Sequence, residues 1–355
     1  MTATKTRKLE HLDVCVKKSV ETGDTLLGDV RLVHNCLPEI SMAEIDTGTK
    51  FLGKNFSAPF MITAITGGVA KAGKINKDLA SVAQKLGIGF GLGSQRAMLE
   101  DDGVKGTYCV RDVAPSILVL GNIGAAQLEN YNALEIKSAL KAVGADGICV
   151  HLNPAQEAVQ AEGDLDFSHV LRNINRLAGV VPVVAKEVGN GVCREAAIDL
   201  KNAGVKALDV GGLGGTSWVR VDSLRAKMES PFCDWGIPTA ASVMECHDLM
   251  PVIATGGIRT GLDAAKAVAL GAELCGVALP ALRWYAKGGK KAVELGYTKM
   301  IREFRTAMFL TGSRTPAQLR DANMVIGGQL ANWADARGIS IRHYAYRRIP
   351  HTVIG

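Results

Sequence analysis

Four polar side chains fall within the seven residues "HLNPAQE": His151, Asn153, Gln156 and Glu157. They follow directly on the apolar run "DGICV", and Pro154 stands among them, lacking the N–H that a continuing β-ladder would need. A strand therefore ends here and presents an imidazole, two carboxamides and a carboxylate together. Mg²⁺ takes one or two carboxylates and completes its shell with water and substrate phosphates, so Glu157 alone suffices for a ligand that brings its own phosphates. By spacing alone Glu157 also fits a first-turn helix acid or a salt-bridge partner. His151 by itself reads as a hydrogen-bonded rim histidine.

Other residues suit an anionic ligand. "GGIRTG" at 256–261 sets Gly257, Ile258 and Arg259 before a helical stretch, where orphan amides and the helix dipole favour a phosphate. Thr216 in "GGT" can converge on the same place, while the alternative is a Gly-rich turn that merely lets the helix pack. Lys186 closes an apolar run, as a snorkelling surface residue or as a rim cation. Ser94, Arg96 and Asn122 also end apolar runs, where singly they read as turn or capping residues. In "TRKLEHLD", helical spacing puts Arg7 or Lys8 on one face with His11, able to clamp a polyanion or to fray as a basic tail.

These residues need a scaffold that gathers them. Eight short apolar runs recur at 58–65, 88–93, 116–122, 146–152, 181–188, 205–212, 251–257 and 272–279, most followed by a stretch with helical spacing. Continuous rather than alternating apolar character marks strands covered on both faces, and strand–helix alternation implies parallel pairing. The pattern predicts an α/β fold, a (β/α)₈ TIM barrel over 58–324. An N-terminal extension, 1–57, contributes ligand-binding residues, a C-terminal extension spans 325–355, and a long insert, 213–240, follows the sixth strand. Chemistry in such barrels sits at the carboxyl ends of the strands, which is where the residues above fall. The first strand–helix turn has no G-x-G-x-x-G, which disfavours a dinucleotide-binding open sheet.

Composition narrows the class. The 355 residues are 47% hydrophobic, enough for a large core, and the net charge of +6 is spread without an aromatic-interleaved basic stripe, so nucleic acid is not expected as a partner. Eight cysteines without a C-x-x-C pair fit a reducing cytoplasm. There is no basic head followed by an apolar stretch and no run long enough to span a bilayer, so no membrane association is expected.

Seven motifs in order, "RKLEH" 7–11, "AITGG" 64–68, "GLGSQR" 91–96, "HLNPAQE" 151–157, "KEVGNG" 186–191, "GGTSW" 214–218 and "GGIRTG" 256–261, resemble the type 2 isopentenyl-diphosphate isomerases. The resemblance runs from about residue 7 to about 320. It implies an FMN-bound barrel that interconverts the C5 isoprenoid diphosphates isopentenyl and dimethylallyl diphosphate, with reduced flavin, NADPH as its reductant and Mg²⁺. It implies flavin contacts from Ala64, Ile65, Thr66, Ser94, Asn122, Lys186, Thr216, Gly257, Ile258, Arg259, Ala278 and Leu279. The substrate would meet Arg7, Lys8, His11, Ser94, Arg96, His151, Asn153 and Gln156. Of these, His151, Asn153 and Gln156 would stand at the reacting end and Glu157 would hold the metal. A homo-oligomer, tetramer or octamer, is also implied. The family often carries Met where Ile65 stands and a larger apolar residue where Ala155 stands. FMN barrels that oxidise hydroxy acids are similar but use a His base in an "HGGR"-like segment after the sixth strand; "VGGLGGTSW" has neither His nor Arg there.

Overall fold

The computed structural model describes residues 3–348, with side chains given for Lys8 and from Glu10 onward. Eight parallel strands close into a barrel, each paired with its sequence neighbours and the last with the first. They are β1 (Phe60–Ile62), β2 (Gly89–Gly91), β3 (Val119–Gly124), β4 (Gly147–Leu152), β5 (Val183–Glu187), β6 (Ala207–Asp209), β7 (Val252–Ala254) and β8 (Leu274–Val277). Each falls within or across the run that predicts it, and the architecture is the expected TIM barrel. Helices Ala70–Leu86, Ala133–Val143, Val170–Ala178, Arg194–Asn202 and Gly261–Leu270 cover the outside. After β2 there is no full crossover helix; Arg96–Glu100 and a 3₁₀ turn over Asp102–Thr107 stand in its place, started by the Asp101 side chain accepting from the Gly103 amide.

The period-two alternation of the strands explains where the site lies. Met61, Leu120, Cys149, Val184, Ala207, Ile253 and Leu274 point inward and pack into one apolar cluster. Phe51 and Phe56, from the hairpin Thr49–Phe51 and Lys54–Phe56, join that cluster and plug the amino end of the barrel. Two residues further along each strand the inward positions are Thr63, Gly91, Asn122, His151, Lys186, Asp209, Thr255 and Gly276. The barrel interior is thus apolar below and polar above. The glycines leave room: a Cβ on Gly276 would collide with the Thr63 and Thr255 methyls.

The flanking segments fold onto this barrel. The strand Val30–Leu32 pairs antiparallel with Met324–Ile326. The helix Ala3–Lys17 contacts the helix Trp218–Ala226 of the 213–240 insert. Among the described residues no helix is long and apolar enough to cross a membrane.

Candidate active site

A cavity opens at the carboxyl ends of the strands, with the polar layer as its floor. It is lined by Lys8, His11, Ala64, Ile65, Thr66, Ser94, Arg96, Asn122, His151, Asn153, Gln156, Glu157, Lys186, Thr216, Gly257, Arg259, Ala278 and Leu279. Two residues of the expected set are not among them. Ile258 turns its side chain fully into the core, so only its backbone faces the loop. Arg7 lies in the N-terminal helix, and its side chain is outside the described residues.

The floor is wired by hydrogen bonds. Asn122 Oδ1 lies 2.8 Å from His151 Nδ1. Burial, with the neighbouring Lys186 charge, brings the His151 pKa down to about 4, so the imidazole is neutral at pH 7. Lys186 Nζ donates to Asp209 Oδ2 at 2.8 Å and to the Glu187 carbonyl at 3.3 Å. The Glu187 carboxyl is turned away and accepts from the amides of Val188, Gly189 and Asn190, which fixes the turn after β5. Its burial raises its pKa to about 7, against the pull of those amides and of Lys186.

Pro154 occupies the first position of the short helix Pro154–Val159, where its missing N–H costs nothing. That helix sets Gln156 and Glu157 beside Asn153, whose Nδ2 donates to Glu157 Oε1 at 2.7 Å and Gln156 Oε1 at 3.2 Å. The Asp164 amide donates to Glu157 Oε2 at 2.8 Å. Among the described residues no three His, Cys, Asp or Glu side chains converge as a metal cage, so a cation at Glu157 would rely on its ligand's oxygens.

One member of the site is invisible to the sequence reading. Asp222, almost fully buried on Trp218–Ala226, accepts from Gln156 Nε2 at 2.9 Å, pairs with His11 Nε2 at 2.9 Å and binds the Arg225 guanidinium. Burial opposes its ionisation, but the bonds from His11, Gln156 and Arg225 outweigh that and hold the carboxyl below its ordinary range. His11 also packs edge-on against Trp218, with centroids 5.0 Å apart. The only sequence signal was the length of the insert.

Lys8 enters from the same N-terminal helix, its Nζ bonded to the carbonyls of Gly67 at 3.0 Å and Ser94 at 3.2 Å, and to Tyr108 Oη at 3.3 Å. Arg96 pairs with Glu100 at 2.6 Å along its own short helix. Arg259 is held by Glu21, which also takes Arg283 at 3.0 Å.

The far wall suits a phosphate. The amides of Gly257 and Ile258 have no protein acceptor among the described residues, and helices Gly261–Leu270 and Leu279–Leu310 start beside them. Gly257 sits at φ +78°, and a Cβ there would strike Thr25 and the Gly214 carbonyl. Unpaired amides on this wall, a cation and a carboxamide on the floor, and glycines that leave depth between them fit a ligand that joins a phosphate to a polar ring system such as FMN. Fold and site together define a flavin-type TIM-barrel enzyme.

Comparison with known proteins agrees. The family model described as FMN-dependent dehydrogenase matches residues 151–326. Among solved structures the fold resembles a flavocytochrome b2 variant (TM-score 0.69, 19% identity, 94% of this chain and 85% of that one). It also resembles a Pediococcus acidilactici lactate oxidase (TM-score 0.68, 16% identity, 92% and 95%). Isopentenyl-diphosphate delta-isomerase of Methanothermobacter thermautotrophicus is 44% identical over 96% of this chain and 99% of its own length. That of Pyrococcus furiosus is 43% identical over 98% and 93%. The chain belongs to the isopentenyl-diphosphate delta-isomerases of the FMN-dependent, type 2 kind.

Proposed function

We propose that the enzyme interconverts isopentenyl and dimethylallyl diphosphate by a proton shift that needs FMN in its reduced state, with NADPH as reductant and Mg²⁺ on the substrate diphosphate. The observation that carries this reading is the chemistry of the floor. Its one imidazole, His151, is held neutral with a pKa of about 4, too weak a base to take a hydroxy-acid α-proton and too little protonated at pH 7 to acidify an alkene. Gly211 and Gly212 follow β6 where hydroxy-acid oxidation would need a base. Lys186 and Asn122 would hold a reduced flavin at the floor, and such a flavin would supply the proton donor and acceptor that the double-bond shift needs.

The remaining groups bind, orient and exclude water. Lys186 and Asn122, with the backbones of residues 64–66 and the side of Ser94, would seat the ring. Thr216, Arg259 and the amides of Gly257, Ile258, Ala278 and Leu279 would take the cofactor phosphate. Lys8, His11 and Arg96 would meet the substrate diphosphate, with Arg7 beside them by motif, while His151 and Asn153 would stand with Gln156 at the reacting end. Glu157 offers its carboxylate to Mg²⁺ beside that diphosphate. Gln156, anchored by Asp222, would lie over the alkenyl chain. Binding energy from the diphosphate, remote from the reacting carbons, then holds the alkene in place. Assembly as a tetramer or octamer belongs to the same reading.

The test is anaerobic equilibration of the two C5 diphosphates by purified protein with FMN, NADPH and Mg²⁺. Turnover that vanishes when flavin stays oxidised or Mg²⁺ is chelated is expected; no equilibration under the complete conditions refutes the reading.

A further inference from the structure

Beneath the cavity lies a charged network that the isomerisation does not use directly. Asp209 does not line the cavity; its side chain is 2% exposed, and Oδ2 meets Lys186 Nζ while Oδ1 accepts from Thr255 Oγ1. Thr255 Oγ1 in turn accepts from the Gly211 amide at 2.9 Å. Each partner is thereby fixed in rotamer. A buried ion pair is seldom needed for stability, since a well-packed apolar pair serves as well. What an apolar pair would not supply is a donor aimed upward. An ammonium has three N–H groups; two of Lys186's go to Asp209 and to the Glu187 carbonyl, and the third has no protein acceptor among the described residues. Lys186 lines the cavity, where that third N–H is available to a ligand.

We propose that Asp209 is a positioning residue for the flavin: it holds Lys186 at the cavity floor and offsets part of its charge, and so sets the balance between oxidised and reduced FMN. The inference rests on the placing of the flavin ring against Lys186. Reduction adds negative charge to the ring, which a cation beneath favours and a carboxylate behind that cation opposes. The other titratable groups near Lys186 do not take over this part. His151 is neutral, and the Glu187 carboxylate faces three amides on the other side of the strand.

Two nearly isosteric substitutions give shifts of opposite sign. Asp209→Asn keeps the shape but removes the offsetting charge, so reduced FMN should gain about tenfold over oxidised FMN in relative affinity, a rise of about 30 mV for a two-electron couple. Thr255→Val removes the hydroxyl that donates to Asp209, leaving its negative charge less satisfied, and should lower the midpoint by about 15 mV, roughly threefold. The assay is equilibrium reduction of the FMN-loaded proteins against a reference dye, with oxidised-FMN affinity measured by fluorescence quenching. Asp209→Asn should leave that affinity within about threefold. An unchanged or lowered midpoint in Asp209→Asn, or a Thr255→Val shift of the same sign, overturns the proposal. Failure of the wild-type protein to take up FMN, or a midpoint indifferent to Lys186→Met, would instead strike the placing of the flavin.

Discussion

Asp222→Asn tests the site at its least obvious point. The carboxylate takes Gln156 Nε2 and His11 Nε2, each at 2.9 Å, together with Arg225, so it joins three segments far apart in the chain. An asparagine keeps the shape but has one carbonyl oxygen, and its NH₂ meets either the Gln156 amide or the Arg225 guanidinium donor to donor. One charge-assisted bond is lost and another opposed, at about 1.5–3 kcal/mol each. Arg225 keeps Glu10 at 3.2 Å and Glu162 at 3.0 Å, so the fold retains a partner for that cation. The loss therefore falls on the orientation of Gln156 and His11. If one such bond is missing in the transition state, kcat/KM falls roughly 10–150-fold. Initial rates of isomerisation with saturating reduced FMN, resolved into kcat and KM, measure it. FMN content should not change, because Asp222 does not reach the floor. A kcat/KM within twofold of wild type, or loss of flavin, would refute the reasoning. The pH dependence has a definite sign: a carboxyl held below its ordinary range contributes stability above the unfolded-state value of 3.8, lost as pH falls through the folded-state value.

Three other perturbations are as specific. Lys8→Ala should raise the substrate KM about tenfold with little change in kcat, since the ammonium reaches the cavity from outside the barrel, as steady-state kinetics will show. Glu157→Gln should weaken the apparent Mg²⁺ affinity seen in a metal titration of turnover while FMN absorbance stays at one equivalent, because its contacts are to Asn153 and the Asp164 amide rather than to the floor. His151 is buried neutral with a pKa near 4 against 6.5 when unfolded, so the stability it permits is whole above pH 6.5 and is lost as pH falls toward 4, by at most about 3 kcal/mol. In thermal melts across that range, His151→Gln should lose less stability than wild type.

The barrel was legible because its signals are local. Eight apolar runs are each about a strand long, and the alternation within them decides which side chain faces inward. The same alternation makes the polar layer derivable: Lys186 is two residues beyond Val184, His151 two beyond Cys149, and Asn122 two beyond Leu120. Asp209 and Thr255 obey the same rule, yet they sit inside the apolar runs "VKALDVGG" and "PVIATGG", where one polar residue is lost among hydrophobic neighbours. Their meaning comes only from the closed register that sets Lys186 opposite Asp209. Ile258 shows the converse limit: the motif marks its loop as ligand-binding without saying that its side chain is buried and only its backbone is left to face a ligand.

Asp222 marks a limit of a different kind. Its partners are 211 residues away at His11 and 66 away at Gln156, and nothing in the helix Trp218–Ala226 marks one of its polar residues as buried. The mouth of the cavity is assembled from segments that the barrel itself does not order: the N-terminal helix, the 213–240 insert and the turn after β4. Each carries charges that look solvated in isolation. Glu21 makes the same point, because an acid in a polar N-terminal stretch proves to bridge Arg259 beside the phosphate wall and Arg283 on the last long helix. The N-terminal segment that delivers Lys8 and His11 to the cavity is thus tied by Glu21 to the wall that would hold the cofactor phosphate. On the proposed assignment, cofactor and substrate sites would share one strap, and neither would be complete in the barrel alone.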